Sequence, residues 1–167
     1  MSSRESTKSK MPYTIREANA TDSEKISKLY KRVWDEYKAE FPEKLLKSRQ
    51  PTAGEMKQWM KNETYFVADL NDSIIGVVGC RLMHGTCQLT HMAVDRYQRG
   101  KGVGTSLAKM AIEFAKNGDS FKIWLDTAPF MKEAIRLYEK LGFTKCGYLN
   151  KHFWGLDMEL YELILRP

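Results

Sequence analysis

The sequence predicts one mixed α/β domain, with about seven strands in a mixed sheet flanked by about four helices. Three observations predict it. Along the chain, apolar residues switch repeatedly between a period of two and a period near 3.6. Clusters of Gly, Pro, Asn and Asp fall between those segments, where turns are needed. Neither an internal repeat nor a linker interrupts the 167 residues, a length that suits a single core.

In chain order, "YTIREA" (Tyr13 to Ala18) reads as a first strand. "TDSE" then offers a capping box with Thr21 as N-cap and Glu24 three residues on. In the helix behind it Ile26, Leu29, Tyr30, Val33, Trp34 and Tyr37 share one face. Pro42 and Pro51 divide the next stretch of chain into short helical pieces, the second being "AGEMKQWMKN". "TYFVADL" and "SIIGVVGCRLM" are strands joined through Asn71-Asp72 as a hairpin, and "CQLTHMAV" extends the meander. Val103, Leu107, Met110, Ala111 and Phe114 mark the next helix, "FKIWLDT" the next strand, and Lys132 to Leu141 another helix. "FTKCGYL" and "LDMELYELIL" read as a closing antiparallel pair.

Composition narrows the function classes. No apolar run approaches the ~18 residues a membrane span requires, so no membrane partner is expected. The segment over residues 1–11 is polar and lacks the apolar middle of a signal peptide, so it is expected to be a disordered tail preceding a domain over 12–167, in the cytoplasm. Cys80, Cys87 and Cys146 have neither disulfide nor metal-ligand spacing, and no metal site is expected. A net charge of +6 favours anionic partners. Without a basic stripe interleaved with aromatics, a nucleic acid is a weaker candidate than a phosphate-bearing small molecule.

The densest basic cluster of the domain is "DRYQRGKGVGTS" (Asp95 to Ser106), directly after an apolar strand and before a helix. Its spacing matches neither the Walker loop, since Thr105 follows Gly104, nor the dinucleotide fingerprint, since Thr105 occupies the last glycine position. A glycine-rich turn opening a helix is still an anion site, because the first N–H groups have no internal partner and carry the positive end of the helix dipole. The plain structural alternative is a turn that binds nothing.

Arg99-x-x-Gly102-x-Gly104 after "HMAVD", followed by "AIRLYEKLGF" (Ala134 to Phe143), resembles the GCN5-related N-acetyltransferase (GNAT) superfamily. The resemblance spans nearly the whole domain and implies a mostly antiparallel sheet in which a bulge splays "LTHMAV" from "FKIWLDT". It implies acetyl-CoA as acetyl donor, an amine as acceptor, and a possible homodimer. Met92, Ala93 and Val94 would then meet the pantetheine arm, and the N–H near Met92 would polarise the thioester carbonyl. Arg99, Gly100, Lys101, Gly102, Val103, Gly104 and Thr105 would hold the pyrophosphate, with Met131, Ala134 and Tyr138 on the facing helix. Met131 departs from the family, many of whose members carry Asn there.

Tyr138 falls on the family tyrosine that serves the CoA sulfur, although Ala134, Leu137, Tyr138 and Leu141 also form an ordinary core face. Gln88 stands where histone-type members keep a glutamate base. His91 is an alternative base; Glu36, Glu40, Asp126 or a water relay are others. Trp34, Tyr37, Phe41, Tyr148, His152, Phe153 and Trp154, with Asp35, Glu36, Glu40 and Asp157 nearby, suggest a small or polyamine-like cationic acceptor. Alternatives are a protein N-terminus or lysine, and a catalytically silent module that only binds acetyl-CoA.

Overall fold

A computed structural model describes residues 11–166; the expected tail, Met11 apart, lies outside the described residues. The elements are β1 (Thr14–Glu17), α1 (Ser23–Asp35), α2 (Glu43–Arg49), α3 (Ala53–Asn62), β2 (Thr64–Leu70), β3 (Ser73–Met83), β4 (Thr86–Val94), α4 (Val103–Asn117), β5 (Lys122–Thr127), α5 (Lys132–Lys140), β6 (Thr144–Phe153) and β7 (Leu156–Ile164). The strands form one seven-stranded sheet in the order β1-β2-β3-β4-β5-β7-β6. Every pairing is antiparallel except β4 with β5.

Two helical layers cover the sheet because its strands are apolar on both faces. β3 buries a run from Ile74 to Cys80, both sides of the pleat at once. On one face α4 seats Val103, Leu107, Ala108 and Ala111 against Val78, Leu89, Ile123 and Leu125. On the other, Ile26, Leu29 and Tyr30 of α1 and Met56 of α3 pack against Tyr65, Val67 and Val77. Each large side chain so buried contributes about 1.5–3 kcal/mol relative to exposure.

The turn between β2 and β3 is the expected hairpin, with Asn71 at φ 49° and Asp72 at φ 67°. The start of α1 differs from expectation. Asn19 rather than Thr21 is the capping residue: its side chain accepts from Thr21 N–H, and Asp22 reaches back to the Asn19 N–H at 2.9 Å. The box therefore closes one short 3-10 turn before α1. Arg16 holds Asp22 there through two 2.8 Å bonds, a tie that composition alone does not disclose.

Among the described residues no helix is long and apolar enough to cross a membrane, and no three potential metal ligands cluster.

Gly76 lets α4 approach β3. A Cβ there would lie 2.8 Å from a Leu107 methyl and 2.9 Å from one of Val103. Gly76→Val will lift the helix and lower stability by about 1–3 kcal/mol, seen as a fall of roughly 2–4 °C in melting temperature per kcal/mol. An unchanged melting curve would contradict this close approach.

Candidate active site

β4 and β5 begin side by side and then part. Only Thr86, Cys87 and Gln88 find partners, in Lys122, Ile123 and Trp124; from Leu89 to Val94 the β5 side of β4 has no strand opposite it. The cause lies on the other edge of β4. Val77 pairs with Ala93 and Gly79 with Thr90, so one β3 residue faces two on β4, and His91 takes φ 47°. Such a bulge bends its strand and increases the local twist. Tyr30 secures it by donating from its buried hydroxyl to the His91 carbonyl at 2.8 Å. Burial holds the Tyr30 pKa well above that of a free phenol, so the donor stays protonated.

The parting leaves polar backbone facing open space. Asp95 N–H bonds to the Ile75 carbonyl at 2.9 Å, so alternation along β4 turns the main-chain groups of Val94 and Met92 away from β3 and into the gap. At the foot of the gap, Gly100 at φ 74° and Gly102 at φ 84° make the left-handed corner that most side chains resist. The first main-chain bond of α4 runs from Ser106 N–H to Gly102 C=O at 3.0 Å. The N–H groups of Val103, Gly104 and Thr105 consequently have no helical acceptor, and no side chain caps them.

These parts line a cleft of about 760 Å³ that Met92, Ala93, Val94, Arg99, Gly100, Gly102, Val103, Gly104, Thr105, Met131, Ala134 and Tyr138 share. Of the residues anticipated on the donor side, Lys101 alone is not on its wall. Two assignments change in character. The Arg99 guanidinium makes a two-pronged bond to Glu36 at 2.8 and 3.0 Å, and its Nε donates to the Val94 carbonyl at 3.1 Å. Its charge is thus committed to joining α1 to the corner, and the main-chain N–H groups are what it leaves for an anion. Gly104 lacks a side chain for packing: a Cβ would sit 2.9 Å from a Leu137 methyl of α5.

A second cavity of about 400 Å³ lies across the same gap. Trp34, Met92, Met131, Ala134 and Tyr138 border both spaces, so these five residues mark the passage between them. The Tyr138 hydroxyl makes no hydrogen bond among the described residues. Burial first, and the charge of Asp126 second, raise its pKa, so at neutral pH it is a protonated donor. Met131, where many family members carry Asn, brings a thioether and no amide to this passage.

His91 also borders the second cavity, but the structure does not favour it as a base. Its ring stacks on Trp59 with centroids 4.7 Å apart, and its Nδ1 is buried without a hydrogen-bond partner among the described residues. Burial, then the positive charges of Arg49 and Arg81 against the opposing charge of Glu63, push its pKa down to about 4. A base that weak is poorly matched to an ammonium group. The contribution of His91 is its backbone, which forms the bulge.

Of the four carboxylates expected around a cationic acceptor, Glu40 is exposed and the other three are engaged elsewhere. Glu36 is held by Arg99, Asp35 by Gln50 and lysines, and Asp157 by Tyr148 and the Lys151 N–H. Trp34, Tyr37 and Phe41 pack on one another, with centroids 5.6 to 5.8 Å apart. What sequence reasoning missed is Glu63, just before β2. It accepts from Tyr65 and Thr90 hydroxyls at 2.8 and 3.0 Å and pairs with Arg81, and only the fold brings these four together.

A partly unzipped parallel pair beside a glycine-rich helix start defines a class of acyl-CoA-binding domains, and comparison with known proteins agrees. The Acetyltransferase (GNAT) family matches residues 27–143, and the chain belongs to it. Over 105 residues it is 30% identical to N-acetyltransferase 8B of Homo sapiens, a match covering 59% of this chain and 46% of that one. Over 107 residues it is 35% identical to N-alpha-acetyltransferase 30 of Xenopus laevis, covering 60% and 39%. The match thus spans less than half the length of these two curated relatives. The fold is also that of yncA, a putative acetyltransferase from Salmonella typhimurium solved with its cofactor acetyl-CoA, at a TM-score of 0.76 and 21% identity, covering 92% of this chain and 94% of that one.

His91 remains neutral in the folded chain down to about 4, whereas an unfolded histidine titrates near about 6.5. The stability linked to it is therefore complete above about pH 6.5 and is lost as pH falls towards 4. Between pH 7 and 4.5 the melting temperature of the native protein will fall further than that of His91→Asn, a residue that tolerates the left-handed backbone. Parallel losses in the two proteins would refute a desolvated ring.

Proposed function

We propose that the protein transfers the acetyl group of acetyl-CoA to a primary amine, by direct attack of the amine on the thioester. The gap between β4 and β5, ending at the free N-terminus of α4, is the observation that carries the proposal. The residues present suit this donor. The backbone of Met92 and the N–H of Val94, whose carbonyl is already taken by Arg99, suit the amide groups of a pantetheine arm, and the N–H groups of Val103, Gly104 and Thr105 suit a pyrophosphate. The exposed Lys101, bonded among the described residues to Gln98 at 3.4 Å, can add a formal positive charge.

In the reaction the amine nitrogen bonds to the acetyl carbon as the carbon–sulfur bond breaks. Met92 N–H stabilises the charge that develops on the carbonyl oxygen. Tyr138 donates a hydrogen bond to the departing sulfur. Because its raised pKa makes outright proton transfer to a thiolate uphill, Tyr138 stabilises the sulfur chiefly as a donor. The amine's proton leaves to water, and the thiolate is protonated in turn. With His91 so weak a base, the acceptor's reactive fraction is its neutral form, so the rate rises with pH towards the amine's own pKa.

A small-molecule amine is the favoured acceptor, since the second cavity is compact. The name of the relative N-alpha-acetyltransferase 30 supports a protein N-terminus as the second reading. A silent binding module is separated from both by turnover: acetyl-CoA that binds without release of CoA on any amine would overturn catalysis.

Gly102→Val will weaken acetyl-CoA binding by calorimetry by more than about ten-fold, because it obstructs the approach to the helix N-terminus. Undiminished affinity would sink the phosphate assignment. Tyr138→Phe will lower kcat on the order of 10²-fold, as for loss of one donor at a developing charge, while leaving the KM for acetyl-CoA near its native value. A matching kcat in this variant would reduce Tyr138 to a packing role.

A further inference from the structure

Arg49, the last residue of α2, forms no ion pair among the described residues. It borders the second cavity, between the ring of Trp34 at 5.7 Å and that of Phe153 at 6.0 Å. Among the described residues it makes no hydrogen bond and has no carboxylate within ion-pair distance. By contrast, Arg81 on the same wall is neutralised by Glu63. An arginine in a partly desolvated position is ordinarily paired, and its planar fork matches a carboxylate in two-pronged fashion. Burial pulls the Arg49 pKa down, which expresses the cost of leaving that charge unmatched.

The other charge on the cavity wall that no ion pair engages is Asp126, on β5, whose field reaches both Arg49 and Tyr138. The cavity therefore offers a cation on α2, beside Trp34 and Phe153, and an anion on β5 whose field reaches Tyr138. Phe153 and Trp154, from the end of β6 and its turn, also line it. That arrangement is complementary to a small molecule with a negative group at one end and an ammonium at the other. It is unfavourable to a polyamine, whose second ammonium would face Arg49.

On the footing of acetyl transfer at this cleft, we propose that the acceptor is a small amino acid whose carboxylate binds Arg49 while its amine reaches the passage at Tyr138. Asp126 draws the incoming ammonium, which must shed its proton before it attacks. Trp34 and Phe153 hold the guanidinium in place by their ring faces, so that the fork is oriented before the acceptor enters.

The test pairs each free amino acid with its carboxamide and its decarboxylated amine, alongside phosphoethanolamine, spermidine and a short peptide, with release of CoA as readout. Amino acids will exceed their carboxamides in kcat/KM by about 10- to 100-fold, the scale of a charged hydrogen-bonded pair. Arg49→Gln will collapse that ratio towards unity through a rise in KM for the acid, and Arg49→Lys will retain part of it. Acetyl-CoA affinity by calorimetry verifies that the variants are folded. Equal use of acid and carboxamide by the native protein overturns the proposal, as does preference for spermidine, phosphoethanolamine or the peptide. Those outcomes leave acetyl transfer itself standing, whereas failure of the native protein to bind acetyl-CoA removes both.

Discussion

The bulge at His91 is the constraint on which the rest of the site depends. A β-strand in the middle of a sheet ordinarily has both edges satisfied, and β4 does so only for its first three residues. One extra residue against β3 turns the strand, and the turn is held from outside by the Tyr30 hydroxyl on the His91 carbonyl. Both cavities open along the resulting gap, and the free helix N-terminus lies at one end of it. A helix on one face of the sheet thus supports an opening whose far end is built by a helix on the opposite face.

Charge in the site is distributed with similar economy. Two arginines beside the glycine corner are bound up, Arg99 by Glu36 and Arg32 by Asp95, while Lys101 meets only a neutral amide among the described residues. Backbone dipoles then become the main source of positive potential for a phosphate, with the advantage that they are fixed in place. In the second cavity the relation is inverted, since side chains supply the charge and one of them, Arg49, stands unmatched. The larger cleft is accordingly a property of backbone shape and the second cavity one of side-chain identity.

That division explains what could be read in advance. Backbone shape leaves a signature in sequence because it requires glycines at fixed spacing, and "RGKGVG" with "LYEKLGF" marked one corner of the larger cleft, where Arg99, Gly100, Gly102, Val103 and Gly104 meet Leu137 and Tyr138. The strands were legible for a related reason, their apolar runs and the Asn71-Asp72 turn being local features. Side-chain partnerships between distant segments were not legible. Nothing local tells that Arg99 meets Glu36, 63 positions away, or that Glu63 meets Thr90. The acidic residues near the aromatics suggested a cationic acceptor because their own partners were invisible. The cap at Asn19 rather than Thr21 is a different case: it is local, and two overlapping capping patterns were settled by the tie of Arg16 to Asp22.

The contact between Gly104 and Leu137 has a further consequence. It brings α4 directly against α5, so two walls of the larger cleft are in close contact with each other. Arg49 and the Phe153–Trp154 turn belong instead to a short peripheral helix and a hairpin end, remote from that contact. Substrate preference in such a scaffold can drift by replacing two outlying pieces while the machinery that handles the thioester is inherited unaltered. One chassis can thereby serve many acceptors, and divergence should accumulate at its margins.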